Sequence, residues 1–154
     1  MADYRIVGIP IEIADEARST RRSPRFGHPV HEEVAGGVGP CRSCLGLFEV
    51  GEEQRLLMTY QPDFGQATLG VPGPIFIHRD RCEPYEGSAL PRGLQQLPLL
   101  IEGRTEDGRT VRSQRAPGQE ADDLIRAYLA EGDIDFVALR HGEAGCFIAR
   151  ADRA

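Results

Sequence analysis

Glycine and proline interrupt this chain so often that it cannot form a bundle of long helices. The 154 residues include 18 glycines and 11 prolines, together roughly a fifth of the chain. Both residue types favour turns and weaken helix interiors. The runs between these breaks are short, apolar and often β-branched, as strands are. We therefore expect an α+β fold whose largely antiparallel sheet is built of hairpins.

The N-terminal half is expected to be rich in loops. It opens with the β-branched run YRIVGIPIEI, in which a strand is followed by a short helix over residues 11–19. Residues 20–40 have no periodic pattern and are expected to be irregular. The apolar runs CLGLFEV and RLLMTY, separated by GEEQ, have the spacing of a hairpin. A long loop over residues 61–74, of a length that is usually functional or mobile, then precedes the strand IFIHR.

The C-terminal half contains the clearest helix, in QEADDLIRAYLAEG. Acidic residues occupy its first turn and Gly132 follows its end, so the pattern predicts a helix over 119–131 packed on the sheet. A hairpin with Asp107-Gly108 at its turn precedes the helix, and IDFVALR with GCFIAR form a closing hairpin. Without a repeat or a linker, residues 1–154 are expected to form a single domain. The apolar stripe of the helix comprises Ala121, Leu124, Ile125, Tyr128 and Leu129.

Composition and charge argue against several classes of function. All 18 basic residues are arginine, so a lysine Schiff base with pyridoxal phosphate (PLP) and a P-loop lysine are both excluded. The chain has no G-x-G-x-x-G dinucleotide fingerprint and no G-x-S-x-G motif. A net charge of -6 disfavours non-specific binding to nucleic acid or anionic membranes. No apolar run approaches the roughly 20 residues of a membrane span, and the start does not resemble a signal peptide. We expect a cytoplasmic protein with reduced thiols.

One basic segment departs from the acidic average. RSTRRSPR places four arginines in eight residues, and arginine side chains suit phosphate or carboxylate groups. The segment is therefore a candidate for an anionic ligand, and a solvated loop without a ligand is the competing interpretation. The four residues are Arg18, Arg21, Arg22 and Arg25.

Six thiols and imidazoles fall in the three short segments GHPVHEE, GPCRSCLG and IFIHRDRC. Zinc is usually held by about four such ligands in tetrahedral array, and local pairs can supply them. C-x2-C and H-x3-C, with 33 residues between them, would form a Cys3His site. H-x2-H-x9-C-x2-C would form a Cys2His2 site, and the sequence leaves both open. A shared site requires its sulfurs to lie about 3.5–4 Å apart. The preferred ligands are Cys41, Cys44, His78 and Cys82, and the alternative set contains His28 and His31.

Two further interpretations of these residues also stay open. In one, an activated Cys41 lies in a pocket under the 61–74 loop, where Arg42 lowers the thiol pKa and His31, His78 and Tyr85 are the other polar groups. In the other, the cysteines only pack. A thioredoxin-type dithiol is disfavoured because that motif opens a helix, whereas Cys44 leads into a strand-like run. Cys146 is expected to lie in the core.

The stretches GHPVHEEVAGGVGPCRSCL, GPIFIHRDRCEPY and EAGCFIARADRA together resemble a bacterial family known as domain of unknown function 1203. The opening YRIVGIP fits as well, so the resemblance spans essentially the whole chain. It implies a single domain and no particular activity. Three functions stay open: a small protein with a structural metal ion, an enzyme or small-molecule binder, and a non-catalytic binding or regulatory module. Neither a partner nor an oligomeric state is indicated. The polar positions inside the matching stretches are His28, His31, Cys41, Arg42, Cys44, His78 and Cys82.

Overall fold

Two antiparallel sheets organise the chain in the computed structural model, which describes residues 2–64 and 70–154. The α+β class and the largely antiparallel pairing predicted from the sequence are confirmed. None of the described helices is long and apolar enough to cross a membrane. In chain order the elements are β1 (Tyr4–Val7), α1 (Ile11–Thr20), β2 (His31–Val34), β3 (Gln54–Tyr60), β4 (Gly73–His78), β5 (Glu86–Gly87), a 3₁₀ helix (Arg92–Gln96), β6 (Pro98–Arg104), β7 (Thr110–Pro117), α2 (Gly118–Leu129), β8 (Phe136–His141) and β9 (Phe147–Arg153).

The larger sheet has six strands in the order β5-β1-β9-β8-β6-β7. Both predicted C-terminal hairpins are present, β6 with β7 and β8 with β9. Gly108 has a φ of 90°, which a residue without a side chain adopts readily, so the Asp107-Gly108 turn is where the sequence predicted it. Helix α2 covers one face of this sheet and begins and ends within two residues of the predicted bounds. Its buried stripe is Ala121, Ile125, Tyr128 and Leu129, while Leu124 lies at the margin and is only partly buried.

The smaller sheet has the order β2-β3-β4 and differs from the sequence prediction. Residues 45–50 form no strand, so the expected hairpin between CLGLFEV and RLLMTY is wrong. The reason is local, because Leu45 has a φ of 61° and a left-handed residue cannot continue a strand. Strand β3 pairs instead with β4 across the long loop and with β2, in a segment expected to be irregular. Residues 65–69 of the 61–74 loop lie outside the described residues.

A second hydrophobic cluster fills the space between the two sheets and α1. Leu56 and Ile77 of the smaller sheet share it with Phe136 and Phe147 of the larger one. Helix α1 starts directly after Pro10, a residue that suits a helix start, and buries Ala14 and Ala17 there. Cys41 belongs to this cluster and is fully buried. The turn that carries the cysteines therefore packs where the two sheets meet.

Candidate metal centre

Cys41 and Cys44 lie on a tight turn that closes on itself through the backbone. The amide of Leu45 donates to the carbonyl of Cys41 at 2.8 Å, and the amide of Cys41 donates to the carbonyl of Gly46 at 2.9 Å. The amides of Cys44 and Gly46 also donate to the sulfurs of Cys41 and Cys44 respectively. This is knuckle geometry, in which turn amides stabilise sulfur ligands. The left-handed residue of the turn is Leu45, a conformation that usually falls to glycine.

The larger sheet fixes this turn from one side and β4 from the other. The amide of Ile9, just past β1, donates to the carbonyl of Arg42 at 2.9 Å. The amide of Arg42 donates to the carbonyl of Phe76 at 2.9 Å. A Cβ on Gly8 would lie 2.1 Å from the Arg42 carbonyl oxygen, so this close approach requires glycine. The knuckle is therefore held by backbone contacts to two strands as well as by its own hydrogen bonds.

Four side chains converge beside the knuckle: Cys41, Cys44, His78 and Cys82, here called the Cys3His cluster. Their ligand atoms all lie within 4.8 Å of one another. The Cys41 and Cys82 sulfurs are 3.8 Å apart, and the Cys44 sulfur is 3.5 Å from His78 Nδ1. These are the separations that a tetrahedral site with bonds of about 2.0–2.3 Å requires. Among the described residues, no other group of three or more such side chains comes together in this way.

Glu53 orients the imidazole of the cluster from behind. Its carboxylate forms a short hydrogen bond with His78 Nε2, which leaves Nδ1 directed at the Cys44 sulfur. The ring of Phe48 lies 4.7 Å from the imidazole and restricts it further. A carboxylate on the remote nitrogen is the usual second partner of a histidine that binds a metal. Sequence analysis missed Glu53, because it approaches His78 only through the pairing of β3 with β4, in which Arg55 lies across from His78 and Glu53 immediately precedes β3.

Arg18 contacts the cluster from α1. Its Nε donates to the backbone carbonyl of His78 at 3.0 Å, and its Nη2 donates to the Cys82 sulfur at 3.4 Å. The side chain is 9% exposed, so the charge is largely removed from solvent. From the sequence, Arg18 is assigned to a basic segment that is a candidate for binding anions. Its role at the cluster could not be predicted, because it depends on the last turn of α1 packing against His78 and Cys82.

The close approach of the thiols changes their acidity in opposite directions. Hydrogen bonds with the Cys44 and Cys82 thiols hold the pKa of Cys41 well below its ordinary value. The pKa of Cys44 is raised, because its thiol is a donor in the same group. Hydrogen bonds with the Cys41 and Cys82 sulfurs raise the pKa of His78 to about 10. The cluster thus favours a thiolate at Cys41, the form in which cysteine binds metal ions, whereas Cys44 and His78 would each release a proton on binding one.

Solvent reaches the cluster through a groove beside His78 and Cys82. Cys41 is 0% exposed, whereas Cys44, His78 and Cys82 are partly buried. A groove of about 340 Å³ runs past His78 and Cys82 and is bordered by Glu53 and Arg79. An ion entering from this groove would meet the outer two ligands before the knuckle.

The alternative ligands His28 and His31 lie outside the Cys3His cluster. His28 Nε2 is hydrogen-bonded to the hydroxyls of Ser23 and Thr59, each at 3.0 Å. His31 is exposed on β2 and lies across from Leu57 of β3, whereas His78 is on β4 at the far side of β3. Among the described residues, the structure therefore does not bring His28 and His31 together with Cys41 and Cys44, because β2 and β4 lie on opposite sides of β3.

The pocket predicted for an activated cysteine differs from the observed one. A cavity of about 210 Å³ lies beside the end of the 61–74 loop and is lined by Tyr60, Arg140 and Cys146, and not by the residues named from the sequence. Cys146 itself lies just before β9 and is half-buried, so its assignment to the core is wrong. Four polar residues were assigned to the pocket. Of these, His31 is exposed on β2 and His78 belongs to the Cys3His cluster. Arg42 and Tyr85 form hydrogen bonds to backbone carbonyls.

Arg42 points away from the cysteines on either side of it. Its buried side chain donates to the carbonyls of Phe147 and Pro40, each at 2.7 Å. Burial lowers the pKa of Arg42 to about 10. The Tyr85 hydroxyl donates to the carbonyl of Ala89 at 2.7 Å. Arg18, in contrast, contacts a cysteine sulfur directly, that of Cys82.

The basic segment does not present its charges as one surface. Arg18 faces the interior, Arg21 pairs with Glu32 at 2.7 Å, and Arg22 donates to the carbonyl of Gly27 at 2.6 Å. These internal partners account for three of the four arginines. An anionic ligand at this segment stays a prediction.

Comparison with curated proteins and with solved structures finds no match for the chain. A family model described as "Protein of unknown function (DUF1203)" matches residues 38–153. This range is well over half of the chain and contains the whole Cys3His cluster together with Glu53. The chain therefore belongs to the DUF1203 family.

Proposed function

We propose that this protein binds Zn²⁺ in a closed site formed by Cys41, Cys44, Cys82 and His78 Nδ1, and that the ion stabilises the fold. The observation that carries the proposal is the convergence of four ligand atoms within 4.8 Å. Three thiolates and one imidazole in tetrahedral array are a ligand set typical of zinc.

The surroundings of the ligands support a structural ion. The knuckle amides, Glu53 and Arg18 all hold ligand atoms in place before an ion arrives. Catalytic zinc sites keep one position open for water or substrate, whereas four protein ligands fill the tetrahedron. Cys41 is buried away from any substrate, which disfavours the alternative of an activated nucleophile at that position.

Metal analysis tests the proposal directly. The full chain, purified without a histidine tag under reducing conditions, should contain about one zinc per chain, as tetrahedral sites of this kind hold. Cys44→Ser should lose the metal, while Cys146→Ser should retain it as the matched control. A wild-type preparation with less than about a tenth of an equivalent, which cannot be reloaded with Zn²⁺, would contradict the proposal.

The same proposal carries an expectation about location and partners. Four free cysteines persist in a reducing compartment, so we place the protein in the cytoplasm. A structural ion requires neither a nucleic acid nor a membrane as partner. We also propose that residues 1–154 fold as one domain, because the second hydrophobic cluster joins side chains of both sheets.

A further inference from the structure

Arg18 is the one member of the basic segment that is turned inward. Its guanidinium bonds to two atoms, the carbonyl oxygen of His78 at the end of β4 and the sulfur of Cys82 in the segment that follows. Nη1 is buried without a hydrogen bond and lies 3.7 Å from the carboxylate of Asp15, which is about half exposed. A buried arginine is costly unless anions surround it, so this position demands negative charge nearby.

Cys82 is the ligand with the least support from its own backbone. Cys41 and Cys44 are fixed by the knuckle, and His78 ends β4. Cys82 instead lies four residues beyond His78, in a segment without helix or strand. Because one guanidinium bonds to both ends of the His78–Cys82 segment, it fixes the separation of these two ligands. The planar, rigid fork of arginine suits this double contact.

The net charge of the metal centre also indicates a role for Arg18. Three thiolates around a divalent ion leave one net negative charge in a partly buried place. The guanidinium of Arg18 is the cation that touches this group, at 3.4 Å from the Cys82 sulfur. Glu53 adds a second negative charge next to His78, so the positive charge of Arg18 offsets one of the two.

We propose that Arg18 is a positioning residue of the metal centre, which orients Cys82 relative to His78 and neutralises the thiolate-bound ion. This inference rests on the proposed function, since it assigns a role at the same site. Arg18 binds no metal itself and acts through the ligands it contacts. Loss of such an outer contact typically weakens metal affinity about 10- to 100-fold.

Binding of Co²⁺ to the full chain tests the inference, because its visible spectrum reports both affinity and ligand geometry. Arg18→Gln should raise the Co²⁺ dissociation constant about 10- to 100-fold and shift the ligand-field bands. Arg18→Lys keeps the charge but cannot bridge both atoms, so its dissociation constant should lie between those of Arg18→Gln and the wild type.

Arg81→Gln is the matched control. Arg81 also links this segment to α1, through Asp15 at 3.4 Å, but it is 62% exposed and contacts no ligand of the cluster. Its dissociation constant should stay within about twofold of wild type, since exposed ion pairs contribute little. A purely structural loop–helix link would make Arg81→Gln and Arg18→Gln alike, which would overturn the inference.

The outcomes separate the two proposals. A wild-type chain that does not bind Co²⁺ or Zn²⁺ defeats the metal site and this inference with it. A wild type that binds, with a folded Arg18→Gln of equal affinity and unchanged spectrum, defeats the role of Arg18 alone. Should Arg18→Gln fail to fold, Arg18→Lys decides in the same way, and wild-type affinity in that variant overturns the inference.

Discussion

The two hydrophobic clusters of this protein are held together in different ways. The cluster between α2 and the six-stranded sheet consists of aliphatic and aromatic side chains on long, well-paired strands. The cluster beside the smaller sheet includes Cys41, and the charged side chains of Arg42 and Arg55 are buried nearby. Burial of apolar surface accounts for the first, whereas the second has less of it and more polar groups to satisfy. We therefore expect the second region to depend on the metal ion.

The largest effect should come from breaking the knuckle. Cys44→Ser removes a ligand, and structural zinc contributes about 10–16 kcal/mol of apparent binding free energy in small zinc-finger peptides. We expect a loss of at least about 5 kcal/mol in unfolding free energy, or failure to fold, and a similar loss on treating wild type with a chelator. Hydrogen exchange should show β3 and β4 losing protection before β8 and β9. Equal loss in all four strands would remove the contrast between the regions.

Truncating a side chain in the cluster between α2 and the six-stranded sheet should lower the unfolding free energy by a smaller amount, and independently of metal. Leu129 is 1% exposed on α2, and a buried leucine loses about 2–5 kcal/mol on truncation to alanine. Leu124→Ala should cost less than about half of that, because the side chain is only partly buried. Chemical denaturation measures both values, and metal content should stay at one equivalent in each variant. A loss of zinc from Leu129→Ala would mean that the two clusters fold as one unit.

Gly8 lies where the two regions touch, and its substitution should strain both. A Cβ there would overlap the carbonyl of Arg42, and such overpacking costs about 1–3 kcal/mol. Because the strain falls on the knuckle, Gly8→Ala should also weaken metal binding. Gly132→Ala is the control, since nothing lies within 4 Å of its added Cβ. Thermal unfolding with and without Zn²⁺ compares them, and identical behaviour of the two variants would show that the backbone contact at Gly8 is unimportant.

Changing a residue that contacts a metal ligand should weaken metal binding less than removing the ligand itself. Glu53→Gln keeps the shape but removes the charge that accepts the His78 Nε2 hydrogen. Zn²⁺ affinity should fall about tenfold, the lower end for such partners, while Glu52→Gln should have no effect. Competition with a chromophoric chelator measures both. Equal affinities in the two variants would show that Phe48 alone orients the imidazole.

The smallest effect is expected on β2. His31→Ala should leave Zn²⁺ affinity unchanged within about twofold, because His31 is exposed and separated from the cluster by β3. The same chelator competition applies. A large loss of affinity would revive the Cys2His2 ligand set and require a different arrangement of β2.

Much of the fold could be predicted because its signals are local. The stripe from Ala121 to Leu129 and the Asp107-Gly108 turn each depend on a few neighbouring residues. The strand predicted after Cys44 was wrong because the backbone is left-handed at Leu45. A glycine there would have indicated a turn, whereas leucine does not. The candidate ligands were recognisable by residue type and spacing, and Cys41, Cys44, His78 and Cys82 do come together.

Sequence alone was enough to predict the α+β class, the helix near the C-terminus and the three local pairs of candidate ligands. The fold in three dimensions brings His78 and Cys82, and not His28 and His31, beside the knuckle, because the knuckle packs against β4 and β2 lies on the other side of β3. The same holds for Arg18 and Glu53, which are 60 and 25 residues from His78 along the chain. Periodicity and spacing describe neighbours in sequence, whereas a tetrahedral site needs neighbours in space, which here come from the packing of the knuckle and α1 on β4 as well as from strand pairing.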